Sequence, residues 1–171
     1  CHIVAQKTLR AQSTQFAAYQ LFHQLFDTGT RFWRYFGKCL NDYVSTCYQE
    51  QCFASGLTPW SEYTESKSIW LAVGKAGLAK IVVAGLSHLD DSESSSGKLL
   101  ESIDNFNIAT QMLDDLKDWK NDIKTQTPSL LLSRIFDNRP EKQLCKKELD
   151  QVARKIFCSG NAEYIINIAL S

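Results

Sequence analysis

The chain has 171 residues, 44% of them hydrophobic and 22% charged. That is enough apolar material for one domain with a real core, and it excludes a disordered chain, a collagen and a disulfide-stapled miniprotein. Lysine plus arginine equals aspartate plus glutamate at 19 each, so the positive excess that drives non-specific nucleic-acid binding is absent. The balance is uneven along the chain: residues 61–122 carry six basic and eleven acidic side chains, and the acids there hold the most informative pattern.

The predicted elements are helical throughout. Apolar spacing predicts a helix over 3–26, with Phe16, Tyr19, Phe22 and Phe26 on one stripe. Asp27-Thr28-Gly29-Thr30 reads as a break with a cap. A second helix is expected over 31–53, carrying Phe32, Trp33, Phe36, Leu40, Tyr43 and Val44. A loop over 55–59 follows, with Thr58 capping a new helix that has Pro59 at its first position and Glu62 as a partial capping-box partner. Residues 60–88 read as helix, including Ile81-Val82-Val83, which in isolation resembles a strand. Residues 90–97 form a polar loop in which Asp90 and Asp91 are loop or cap acids. A helix over 98–123, a short one after Pro128, a turn at 138–140 and a last helical region over 141–158 with a tail beyond Gly160 complete the chain. The expectation is one all-α helical bundle over residues 1–171.

Six cysteines (Cys1, Cys39, Cys47, Cys52, Cys145, Cys158) form no CxxC pair, and His2, His23 and His88 lie near none of them in a zinc-like spacing. They read as reduced thiols packed as small hydrophobes in a cytoplasmic protein. No run of about 18 apolar residues or signal peptide is present, so no transmembrane segment is expected.

The segment 104–122 carries the chemistry. At about 100° per residue, Gln111, Asp115, Asp118 and Asp122 fall within about 60° of one another, with Asp114 to one side and Asp104 and Asn107 upstream. Ile108, Met112, Leu116, Trp119 and Ile123 fill a neighbouring sector, and Lys117, Lys120 and Asn121 a third. A solvated helix face usually mixes signs, because like charges at i,i+4 repel. Here Asp114–Asp118 and Asp118–Asp122 are like pairs. Carboxylates one turn apart suit a hard divalent cation such as Mg²⁺, shared with phosphate oxygens. The bland alternative is a solvated acidic face.

Gln111-x-x-Asp114-Asp115-x-x-Asp118 resembles the second aspartate-rich motif of trans-prenyltransferases, with Thr110 in place of the usual phenylalanine. Asp118-x-x-x-Asp122, with Lys124 and Pro128 beyond it, resembles the squalene-synthase-like and large terpene synthase branches. Tyr63-x-x-x-Lys67-Ser68-x-x-Leu71 resembles the lysine-bearing helix of the prenyltransferases. Together they make residues 30–135 resemble a class I isoprenoid synthase.

The resemblance implies an all-α bundle around a deep apolar cavity, lined by Phe106, Trp70, Met112 and aromatic residues of the second helix. It implies a Mg²⁺-dependent enzyme, a transferase or lyase of isoprenoid biosynthesis that ionises an allylic prenyl diphosphate and then cyclises or elongates it. Asp114, Asp115 and Asp118 would be the catalytic acids. Together with Asp122 they would hold the metal. Lys67, Lys124 and Gln111 would contact the substrate diphosphate. The family's first aspartate-rich motif is absent here: Asn41-Asp42 and Glu50 are isolated, and Asn161-Ala162-Glu163 does not match a later metal motif. The chain is therefore expected to be the carboxy-terminal part of a longer domain, completed by an upstream segment or a second chain, or else to lack the motif. In the latter case it would be a non-catalytic subunit or helical interaction domain of the same fold. A homodimer stays open, and no nucleic-acid partner is expected.

Overall fold

A computed structural model describes residues 2–90, 93–138, 140 and 143–171, with side-chain surroundings from residue 9 onward except those of 93–95. Among the described residues there are eight α-helices, one 3₁₀ turn and no strand: α1 (His2–Leu25), α2 (Arg31–Ser55), the turn Trp60–Glu62, α3 (Glu65–Lys75), α4 (Gly77–Leu89), α5 (Glu93–Thr125), α6 (Leu130–Ser133), α7 (Lys146–Cys158) and α8 (Asn161–Leu170). The all-α expectation holds. Helix α5 is the central strut: 33 residues, about 50 Å long. On it pack α3 and α4 on one side and α6 and α8 on another, with α2 outside α3 and α4 and α7 against α8.

The apolar sector of α5 reads correctly from its period. Met112, Trp119 and Ile123 are buried in the main core, with Ile108 and Leu116 packed against it. That core also takes Phe53, Trp60, Tyr63, Leu71, Leu130–Leu132, Val152, Ile156 and Ile165. A second, aromatic core lies where the end of α1 meets α2 and α4. Phe26, Phe32 and Phe36 pack there with Cys39 and Ile81, and the Phe26 and Phe32 rings stack at 3.8 Å. His23 stacks on Trp33 at 4.3 Å and His88 lies beside Phe26.

Several expectations need correction. No helix starts at Pro59 with a Thr58 cap. Trp60 and Tyr63 are both driven into the core, which bends the chain into a 3₁₀ turn. The helix then begins at Glu65, where the Thr64 hydroxyl accepts from the Lys67 amide at 3.3 Å. Beyond that turn the expected single helix is two, α3 and α4, bent by 48°. The bend lies at Ala76–Gly77, where Gly77 passes so close to α2 that an added Cβ would sit 2.5 Å from the Cys39 carbonyl oxygen. Gly74 meets Thr46 of α2 in the same way.

The polar loop is shorter than expected, because α5 starts at Glu93; an acid and serines are well tolerated in a first turn. Asp90 ends α4, its amide donating to the Leu86 carbonyl at 3.1 Å, while Asp91 lies outside the described residues. The last helical region begins at Lys146, not 141, with the Cys145 amide donating to Glu148 at 2.7 Å. The tail beyond Gly160 is helix α8, which buries Ile165.

Phe16 is 71% exposed, because only the end of α1 from Tyr19 onward reaches α2. The five described cysteines are free, but only Cys39 is buried and Cys145 and Cys158 are exposed; Cys1 lies outside the described residues, as does the side chain of His2. Among the described residues no single helix is long and apolar enough to cross a membrane, though the bent pair α3–α4 reaches that length and hydropathy together.

Candidate functional site

The acidic stripe lies on the C-terminal half of α5. Its residues share a face by period and differ sharply in surroundings. Asp114 and Asp118 are exposed, Asp122 is half-buried and Asp115 is 2% exposed. Lys117, Lys120 and Asn121, the third sector, are exposed.

Asp115 is the best-held acid. One carboxylate oxygen accepts from the Gln111 side-chain amide at 2.9 Å, and the other accepts from the Leu130 backbone amide at 2.8 Å. The local sequence explains the second bond. Gln126 closes α5 in the left-handed region (φ 56°). Pro128 cannot continue a helix, and Ser129 is extended. The chain thus doubles back and aims the first amide of α6 at α5. Burial pushes the Asp115 carboxyl up to about 6, opposed by the Gln111 amide, the Leu130 and Leu131 amides and the Lys75 charge.

Asp122 is raised further, to about 7. Burial is the largest cause, followed by the negative charges of Asp115, Asp118 and Asp114. The four acids therefore form one electrostatic group. Among the described residues no donor reaches the Asp114, Asp118 or Asp122 carboxylates.

The lysine that reaches the acidic half of this helix is Lys75, which the sequence motifs do not mark. Its ammonium donates to Glu50 of α2 at 2.5 Å and to the Gln111 side-chain oxygen at 3.4 Å. A continuous polar chain thus runs Glu50–Lys75–Gln111–Asp115–Leu130 across four helices. Tyr63 belongs to the same buried region: burial raises its phenol first, then the charges of Asp115 and Glu50. One signal in the sequence marks Lys75. It is a lone charge among small and apolar residues (Leu71, Ala72, Gly74, Ala76, Gly77) on a helix where burial is expected.

Lys67 lies elsewhere. It is eight residues, about 12 Å, back along α3 from Lys75, with its ammonium 4.5 Å from the Trp70 ring centre. It lines an open groove of about 560 Å³ with Gln49, Thr58, Thr64 and Trp70. Among the described residues no contact links Lys67 to the acids of α5. Lys124 is exposed in the last turn of α5, where a cation suits the helix dipole. Upstream, Asp104 pairs with Lys80, and Asn107 bonds the Ile103 carbonyl of its own helix at 2.8 Å. Neither joins the acidic group.

The expected cavity wall does not assemble. Met112 is fully enclosed in the core, Phe106 is 70% exposed and Trp70 40% exposed, and the last two line different grooves. The physical reason is that the apolar sector of α5 is already filled by α6, α8 and the 60–63 segment. Among the described residues no three His, Cys, Asp or Glu side chains stand close enough together to hold a metal ion as placed.

Compared with known proteins, the chain matches no family model, no curated protein and no solved structure.

Proposed function

We propose that this chain carries the second acidic half of a divalent-cation and diphosphate site, in an enzyme of the class I isoprenoid synthase type. The observation that supports it is the convergence of Asp114, Asp115, Asp118 and Asp122 on one span of α5, where burial first, and then the charges of the other three acids, raise Asp122 to about 7. A cluster of this kind is relieved by a cation. The donor set fits a hard one: Asp114, Asp118 and Asp122 offer carboxylate oxygens free of protein donors. Bound Mg²⁺ would stabilise negative charge that develops on a departing diphosphate.

In this reading, Lys67 offers a mobile point charge at the rim of α3, and Lys124 a second one at the end of α5. Gln111 orients Asp115 and is itself oriented by Lys75. Among the described residues no second acidic group stands with this stripe, and in this reading the opposing acids would be supplied by another segment or a second chain. The substrate class is an allylic prenyl diphosphate. Cyclisation and elongation remain alternatives separated by experiment.

A second reading, a non-catalytic subunit or helical interaction domain, is favoured by the way Asp115 spends its carboxylate on protein donors. One experiment separates the two. Mg²⁺ binding is measured by calorimetry on the protein and on the double variant Asp114→Asn/Asp118→Asn, with diphosphate release assayed from C10, C15 and C20 prenyl diphosphates with and without isopentenyl diphosphate. Binding that the double variant loses, together with release, supports the enzyme. Release only with isopentenyl diphosphate indicates elongation. No binding and no release supports the second reading.

A further inference from the structure

The motif that resembles a metal-binding series places two adjacent aspartates on α5, and the structure gives them opposite environments. Asp114 faces solvent, whereas Asp115 is 2% exposed. Each Asp115 oxygen accepts one protein N–H, at 2.9 Å from Gln111 and 2.8 Å from Leu130, and the lone pairs that remain on this carboxylate are closed off from solvent by its burial. Bonds from protein donors to a buried carboxylate are among the stronger ones, and breaking them leaves buried groups unpaired.

We propose that Asp115 is a positioning residue and not a cation ligand: it anchors the first amide of α6 to α5 and is itself held by the Glu50–Lys75–Gln111 chain. This rests on the cation-site reading above for its consequence, which is that binding falls to Asp114, Asp118 and Asp122. The anchoring itself rests only on the geometry. The chain has a mechanical meaning. Gln111 sits one turn before Asp115, and Lys75 ties it to Glu50 on α2. The bond to Leu130 then sets where the 126–129 turn crosses the end of α5, beside Asp122. The Thr127 amide donates to the Asp122 carbonyl at 2.9 Å, which closes that turn onto the same stretch of helix. The acidic stripe is thus held in register with α2, α3 and α6 by one buried carboxylate.

The test measures two quantities on each of four proteins: wild type, Asp115→Asn, Asp118→Asn and Lys75→Met. One is hydrogen exchange at the Leu130 amide by NMR, and the other is Mg²⁺ affinity by calorimetry. In Asp115→Asn, Leu130 exchange is expected to speed up about ten- to a hundredfold, with Mg²⁺ affinity within about threefold of wild type. Asp118→Asn is expected to lower Mg²⁺ affinity about tenfold or more and leave Leu130 protected. The proposal is overturned if Asp115→Asn loses Mg²⁺ as Asp118→Asn does while Leu130 stays protected.

If Asp115→Asn does not fold, Lys75→Met decides. It cuts the chain two links away and is expected to speed Leu130 exchange several-fold without changing Mg²⁺ affinity; an unchanged Leu130 overturns the anchoring. A wild-type protein that takes up no Mg²⁺ removes the cation reading, and the Leu130 amide then judges the anchoring alone.

Discussion

Asp115 and Asp122 are seven residues apart on one helix, both raised above the ordinary carboxylate range, to about 6 and about 7 from 3.8. The raised values make a definite pH prediction. Between about 4 and about 7 the folded chain holds more protons at these sites than the unfolded chain does. Their contribution to stability is therefore fully present below about 4 and is lost as pH rises through 6 to 7. The urea midpoint is expected to be lower at pH 8 than at pH 5.5, and Asp122→Asn should narrow that difference. An equal difference in wild type and variant would count against it. Two phenylalanines give a second contrast. Phe26 is buried between α2 and α4, and Phe26→Ala is expected to cost about 3–5 kcal/mol. Phe16 on the same predicted stripe is exposed, and Phe16→Ala should change stability by about 0.5 kcal/mol or less. Denaturant unfolding of the two variants checks both figures.

At the scale of elements, α2 and the α3–α4 pair are held close by glycine. Gly77 lies against the Cys39 carbonyl and Gly74 against Thr46, so neither has room for a side chain. Backbone carbonyls cannot yield as a flexible side chain can. Gly77→Ala is expected to destabilise by about 1–3 kcal/mol, read by thermal unfolding, and to loosen the second core around Phe32 and Cys39. A neutral Gly77→Ala would mean that the two helices can part without loss. The start of α3 tests the corrected boundary. Thr64→Ala removes the hydroxyl that accepts from Lys67 and should cost about 1 kcal/mol, while Thr58→Ala, at the predicted but unused cap, should cost less. The opposite ranking would restore the helix start at Pro59. The α8 end of the bundle is tied to α3 separately, through Tyr164, whose hydroxyl donates to Glu65 and whose ring lies under Arg134 at 3.7 Å.

For the whole molecule, the helical class and the three sectors of α5 were legible from periodicity alone. A 3.6-residue repeat forces Met112, Trp119 and Ile123 to one side and Lys117 and Lys120 to another, whatever packs against them. Element ends were less legible. The break at Gly77 depends on a carbonyl 38 residues earlier in the chain, and the 3₁₀ turn at Trp60 depends on a core built largely from later helices. The candidate site divides in the same way. Asp114, Asp115, Asp118 and Asp122 share one stretch of helix by local geometry, which spacing reveals. Which of them is buried, and that Lys75 rather than Lys67 reaches Gln111, follows from how α3 crosses α5 and how the 126–129 turn returns α6 to Asp115. Local sequence determined that the acids share a face, because that is a property of one helix. Only the tertiary structure decided that Asp115 is the anchor and its neighbours are free, because burial and hydrogen-bond partners belong to the surfaces that meet and not to the helix that bears them.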